Sequence, residues 1–279
     1  MRLPAALAPL VCLAAAASPQ APAPVAAPAF RWTGTPTQGG LIAGTVPTGS
    51  VTVTLDGQPI AVEAGRFIAG FDRDAGSQAV LVATLDDGRR ITQPLAVAAR
   101  AWRIERLDTL PKFPAPDPVM AQLRPAELAR IAAARAEVTD ATGWRQAFRW
   151  PAIGRISGLF GAQRIYRGEP GSYHSGIDIA RPTGTPVVAP ADGVVILAAD
   201  HPFTLEGNLL MIDHGHGLNS AFLHLSRIDV RVGDHVRQGD PIGAVGATGR
   251  ATGPHLHWSL RWRDARLDPL LVAGAMPGA

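Results

Sequence analysis

The chain has 279 residues, 47% hydrophobic and 18% charged, a globular composition with length for about two domains. Its 30 glycines and 25 prolines put turns throughout, which excludes a helical bundle, a coiled coil or a collagen-like rod. A formal net charge of +3, with Lys112 the only lysine, is too small to argue for a nucleic-acid partner.

Residues 1–18 read as an export signal: Arg2, then an apolar Leu3 to Ala17 run, then Ala15-Ala16-Ala17 as a small-residue cleavage site. That run is shorter than the roughly 20 residues a transmembrane helix needs, and no other run is long enough. The expected location is therefore the periplasm or cell envelope, with no transmembrane segment in the mature chain. Cys12 is the only cysteine, and Val11 before it is bulky where a lipoprotein signal has a small residue. Cleavage after Cys12 leaves no cysteine, so any metal must be held by histidines and carboxylates.

Residues 19–29 form a Pro/Ala-rich spacer. Residues 30–100 alternate apolar and polar, as in Val51-Thr52-Val53-Thr54-Leu55 followed by the hairpin signal Asp56-Gly57. They are expected to form a small β-sandwich, and with no histidine they are assigned no chemistry. Residues 101–149 are a linker containing the proline-rich 111–118 stretch. A helix is predicted from Pro125 to Val138, with Leu128, Ile131 and Ala132 on its apolar side.

Residues 150–272 carry all eight histidines among short, Gly/Pro-punctuated strands, which makes this region the catalytic candidate. His174 and Asp178 are four apart. In a flat strand their Cα atoms would lie about 13 Å apart, so the chain must bend between them, and Gly176 is placed to allow it. His255-Leu256-His257 on a strand puts both imidazoles on one face. His224 ends another apolar strand. A catalytic zinc needs about three protein ligands and one open position. His174, Asp178 and one of His255 or His257 fill that number, leaving His224 and the other histidine for acid–base work. His214 and His216 in a Gly-rich turn, with His201 and His235 in loops, are read as ordinary surface histidines.

The order and spacing of His174-x-x-x-Asp178, Gly207-Asn208, Ile212-Asp213-His214-Gly215, His224-Leu225, Gly233-Asp234-His235-Val236, Gly239-Asp240-Pro241-Ile242-Gly243, Gly246-x-Thr248-Gly249 and Gly253-Pro254-His255-Leu256-His257 resemble the lysostaphin-type, or LytM-like, zinc metallopeptidases. The resemblance spans roughly residues 150–270. It implies one zinc per chain on His174, Asp178 and His257, with His224 and His255 as the catalytic pair. It further implies a peptidoglycan endopeptidase that cuts cross-links, D-alanyl–diaminopimelate bonds in particular, with zinc-activated water. One departure is Phe222, where the family strand commonly has Tyr; in the core it would change nothing.

The expected fold is mainly β: a small N-terminal β-sandwich, a short helical segment, and a C-terminal antiparallel β-sheet of the duplicated hybrid, LytM-like kind. The alternative is a non-catalytic relative that binds and activates a cell-wall amidase. Such relatives have lost zinc ligands and tend to carry long coiled coils, and this chain shows neither trait. The partner is then peptidoglycan; no regulatory protein partner is legible. A piece spanning 140–279 is expected to fold, bind zinc and cleave.

Overall fold

The computed structural model describes residues 28–109 and 118–278. The stretch expected to be an export signal, with Cys12, most of the Pro/Ala-rich spacer and Lys112, lies outside the described residues.

The first half forms β1 (Arg31–Thr33), β2 (Leu41–Thr45), β3 (Ser50–Leu55), β4 (Gln58–Pro59), β5 (Arg66–Gly70), β6 (Gln78–Leu85) and β7 (Arg90–Ala96). They make two sheets, β1-β2-β5 and β4-β3-β6-β7. In β6 the side chains of Ala79, Leu81, Ala83 and Leu85 are buried and their neighbours are not, the period of two that the sequence shows. Asp56 and Gly57 join β3 to β4 with φ of 49° and 79°, the left-handed pair that a two-residue hairpin turn requires.

Next come β8 (Ile104–Leu107) and helix α1 (Pro118–Ala136). The helix starts seven residues before the predicted Pro125, which sits inside it. Its buried face is Glu127, Ile131 and Ala134, while Leu128 is exposed. The apolar pattern misplaced this face because a carboxylate is buried in it. Glu127 is compensated there by the Thr204 amide and hydroxyl, each at 2.6 Å, and by Arg124 at 3.1 Å.

The second half contributes β9 (Arg155–Gly158), β10 (Gln163–Tyr166), β11 (Glu169–Pro170), β12 (Ile177–Ala180), β13 (Pro186–Val188), β14 (Gly193–Ala198), β15 (Asn208–Asp213), β16 (Leu218–Leu225), β17 (Arg227–Ile228), β18 (His235–Val236), β19 (Pro241–Ala244), β20 (His255–Trp262), β21 (Ala265–Leu267) and helix α2 (Pro269–Ala273). The chain is thus mainly β. Its large antiparallel sheet runs β18-β14-β15-β16-β20-β12-β9, with β21 alongside β20. One face of that sheet presents Ile177, Ile179, Leu210, Ile212, Phe222, Leu256, Trp258 and Leu260 to the main core. Phe222 is fully buried there, so the missing tyrosine hydroxyl has no site to serve. The opposite face carries His255, His257, Ser259 and Arg261 at alternate positions of β20. Helix α1 covers part of that same face, seating Ile131 and Ala134 on Leu197, Leu209, Met211 and Ala221.

The N-terminal sheets share the main core with the large sheet. Phe67, Ile68 and Leu81 belong to the same cluster as Trp150, Trp258 and Leu267. A Cβ on Gly70 would lie 3.0 Å from Leu267 and 3.1 Å from Trp262, so β5 and β20–β21 meet at close range. The polar seam includes Arg100–Asp268 at 2.8 Å, with Asp268 buried, and the Arg266 amide on Asp72 at 2.9 Å. The piece 140–279 loses both this seam and the cover of α1. Each large side chain re-exposed costs about 1.5–3 kcal/mol, and a handful reaches the whole stability of a domain, about 5–15 kcal/mol. The expected outcome, opposite to the simple reading of a separable catalytic piece, is that 140–279 shows no cooperative melt in calorimetry while 28–279 does. A cooperative transition in the short piece would show that the seam is dispensable.

Candidate metal centre

β12 and β20 pair with Asp178 opposite His257, flanked by Ile177↔Trp258 and Ile179↔Leu256. Those four flanking side chains are fully buried, so a one-residue slip would push them out of the core. The register therefore sets the Asp178 and His257 side chains next to each other on the open face. Two glycines complete the fit. A Cβ on Gly158 would overlap the Asp178 carboxylate, and one on Gly176 would sit 2.7 Å from His257 Nε2.

His174 precedes β12, and the chain bends at Gly176 as expected. Its backbone is held on both sides: its N–H donates to Ala162 O and its carbonyl accepts from Gly161 N–H, each at 2.8 Å. Its Nδ1 faces Leu159 O at 3.0 Å. A carbonyl only accepts, so Nδ1 carries the proton and Nε2 turns a lone pair inward. That Nε2 lies 3.0 Å from Asp178 Oδ1 and 3.0 Å from His257 Nδ1, which is itself 2.8 Å from Asp178 Oδ1.

Three donor atoms thus converge from three places in the chain, two imidazoles and a carboxylate. A tetrahedral site with bonds near 2 Å has ligand–ligand edges of roughly 3.3 Å, close to what is seen. Two neutral nitrogens with one hard oxygen suit zinc-class cations and leave further coordination positions open. Burial opposes the charge on Asp178, but the adjacent His174 and His257 imidazoles outweigh it and hold the carboxyl well below the usual carboxylate range. Burial also opposes charge on His174, and the Asp178 carboxylate overcomes that and raises it; burial wins at His257 and lowers it.

His224 and His255 stand beside this triad, their ring centroids 4.8 Å apart. His224 lies at a register shift between β15 and β16 and has φ of 63°, left-handed backbone that few non-glycine residues adopt. The shift turns its amide away from the ladder to Glu206 O at 2.8 Å. Its Nδ1 faces Thr248 O and that of His255 faces Gly253 O, both at 2.8 Å. Both Nδ1 atoms therefore carry protons, and both Nε2 atoms are free acceptors. Burial pushes His224 down to about 4, which keeps it neutral at pH 7.

The other histidines divide. His201 and His235 are exposed, but His214 and His216 are not the solvated turn residues expected. His214 is fully buried, hydrogen-bonded to Asp192 O and Ser220 Oγ at 2.8 Å, and burial pushes it down to about 4. His216 stacks on Trp144 at 3.9 Å and meets Glu63. Both fix the turn against the core.

Two supports carry no signal in the sequence. Arg73, buried in the N-terminal half, donates to Gly161 O at 3.1 and 3.0 Å, and Gly161 in turn holds His174. Arg124 of α1 grips the Glu206 carboxylate at 2.5 and 2.7 Å, and the carbonyl of Glu206 holds His224.

A family model described as Peptidase family M23 matches residues 172–269, which contain all five groups. A crystal structure assigned to peptidase M23 from Pseudomonas aeruginosa superposes over 86% of this chain and 95% of its own, with 30% identity and a TM-score of 0.65. The chain belongs to peptidase family M23. Among curated relatives, a peptidoglycan DD-endopeptidase of Vibrio cholerae, ShyA, is 44% identical over 110 residues, 38% of this chain and 24% of ShyA. The DD-carboxypeptidase/endopeptidase Mpg of Neisseria meningitidis is 42% identical over 127 residues, 44% of this chain and 28% of Mpg. This M23 chain therefore spans about a quarter of the length of these curated relatives.

Proposed function

We propose that this M23 chain is an exported zinc metalloendopeptidase that hydrolyses peptide cross-links of peptidoglycan, at D-alanyl–diaminopimelate bonds. The observation that carries the reading is one sheet face on which three metal-ligating atoms converge beside two histidines with free Nε2 atoms. His174, Asp178 and His257 would hold the zinc, which when bound supplies Lewis acidity toward a carbonyl and lowers the pKa of water. His224, held neutral, accepts the proton from the attacking water at Nε2. His224 then returns that proton to the leaving amine, and His255, when it carries a second proton at Nε2, donates to the developing oxyanion. The regulator reading needs a broken donor set, and all five groups are present here. The peptidoglycan assignment is supported by the kinship to ShyA and Mpg.

The test is product analysis on purified sacculi. The expected result is loss of cross-linked muropeptides, new diaminopimelate amino groups, and arrest by a chelator with recovery on added zinc. Zinc-loaded protein that leaves the cross-links intact would sink the proposal.

Arg73 adds a second expected result. Arg73→Ala leaves the Gly161 carbonyl without its donor and loosens the loop that carries His174. Supports behind metal ligands are worth about 10–100-fold in metal affinity. A chelator-competition titration should find a loss in that range, partly restored in Arg73→Lys. Wild-type affinity in Arg73→Ala would show that β10 and β12 hold His174 unaided.

A further inference from the structure

The open face of the sheet continues past the metal centre. Along β20, Ser259 and Arg261 follow His257 on the same side, so Arg261 lies about 13 Å beyond it. Arg261 pairs across the sheet with Arg266 of β21 and with Asn219 of β16. Arg135 comes from above, one turn after Ile131, on the stretch of α1 that seats Ile131 and Ala134 on this face.

This ground is rich in positive charge and short of partners. Arg135 Nε and Asn219 Oδ1 are both buried with no hydrogen-bond partner among the described residues. Burial and the like charges of Arg261 and Arg266 push Arg135 down to about 10, so it remains charged at neutral pH. The acid that offsets it, Glu206, is already bound by both terminal nitrogens of Arg124. Arg261 has the fully exposed Asp264 as its ion-pair partner, a weak pair in water. A guanidinium whose Nε is buried without a partner, and which pairs with no carboxylate among the described residues, costs free energy unless a ligand supplies one.

We infer that Arg135 and Arg261 form an anion subsite of the substrate groove, taking a free carboxylate of the peptide about four extended residues from the bond that is cut. The inference rests on the peptidase reading and deepens it: it names the charge that the substrate must carry and where. Arg135 gives α1 a place in the groove as one wall of the substrate site.

The experiment compares one purified cross-linked stem peptide with its carboxyl-amidated form, on wild type, Arg135→Gln and Arg261→Gln. A charge-assisted contact is worth on the order of tenfold or more. Wild type should therefore prefer the free-acid peptide by about tenfold in kcat/KM, mostly through KM, and each variant should lose the preference while keeping its zinc. Arg261, partly exposed, provides the test should Arg135→Gln misfold. Cleavage of both peptides at equal efficiency by wild type, or an undiminished preference in folded variants, overturns the subsite alone. Cleavage of neither peptide by zinc-loaded wild type overturns the peptidase reading and the subsite with it.

Discussion

Asp178→Ala is expected to empty the metal centre and abolish hydrolysis. The carboxylate touches both other donors, at 3.0 Å from His174 Nε2 and 2.8 Å from His257 Nδ1. Without it two neutral imidazoles remain, too few to hold zinc with positions open to water and substrate. His174→Ala should act alike, since the imidazole is one of three donors and its backbone anchors remain. Elemental analysis after dialysis should find well under one zinc per chain in both variants, with no cross-link cleavage. One zinc retained in both would show that the ion sits elsewhere. Acid should empty the same site reversibly, because ligands must be unprotonated to bind. Asp178 raises His174 despite its burial, so protons compete from above the ordinary histidine value of about 6.5. Zinc affinity should fall as pH drops through that value and recover when it is raised.

The parts of this site that follow from local periodicity were legible in the sequence. His255 and His257 share a face because strands alternate, and the core residues Leu256 and Trp258 between and after them define the other face. The bend at Gly176 was legible as a steric need, although the close approach of His257 that makes glycine necessary there was not. What stayed hidden depends on distant pairings. His224 takes its left-handed backbone from a register shift against Asn208–Leu210, which no pattern within β16 announces. Arg73 reaches Gly161 across 88 residues of sequence. The face of α1 was misplaced for a related reason: Glu127 is buried only because Thr204 and Arg124 meet it, and a polar residue in a helix reads as solvent-facing until those partners are known. Metal geometry grew from short-range alternation, and its supports from tertiary contacts.

His224 and His255 should separate cleanly from the metal ligands. Neither donates to the three-atom cluster; His255 Nε2 lies 3.8 Å from Asp178 Oδ1, and each Nδ1 is tied to a backbone carbonyl. Their alanine variants should therefore keep one zinc per chain. Proton transfer and oxyanion stabilisation are each worth on the order of 10²–10³-fold, so kcat should drop by about that much with KM little changed. For His224 the backbone complicates the reading, because alanine at φ of 63° is strained by about 1–2 kcal/mol and could shift the Glu206 and Thr248 contacts. Asparagine adopts left-handed backbone more readily, so His224→Asn removes the imidazole while sparing the turn. If the imidazole matters as a proton acceptor, His224→Asn and His224→Ala lose comparable rate, and both retain zinc. If the residue serves only to shape the bulge, His224→Asn turns over sacculi near the wild-type rate while His224→Ala does not, and the acid–base role assigned to His224 is wrong.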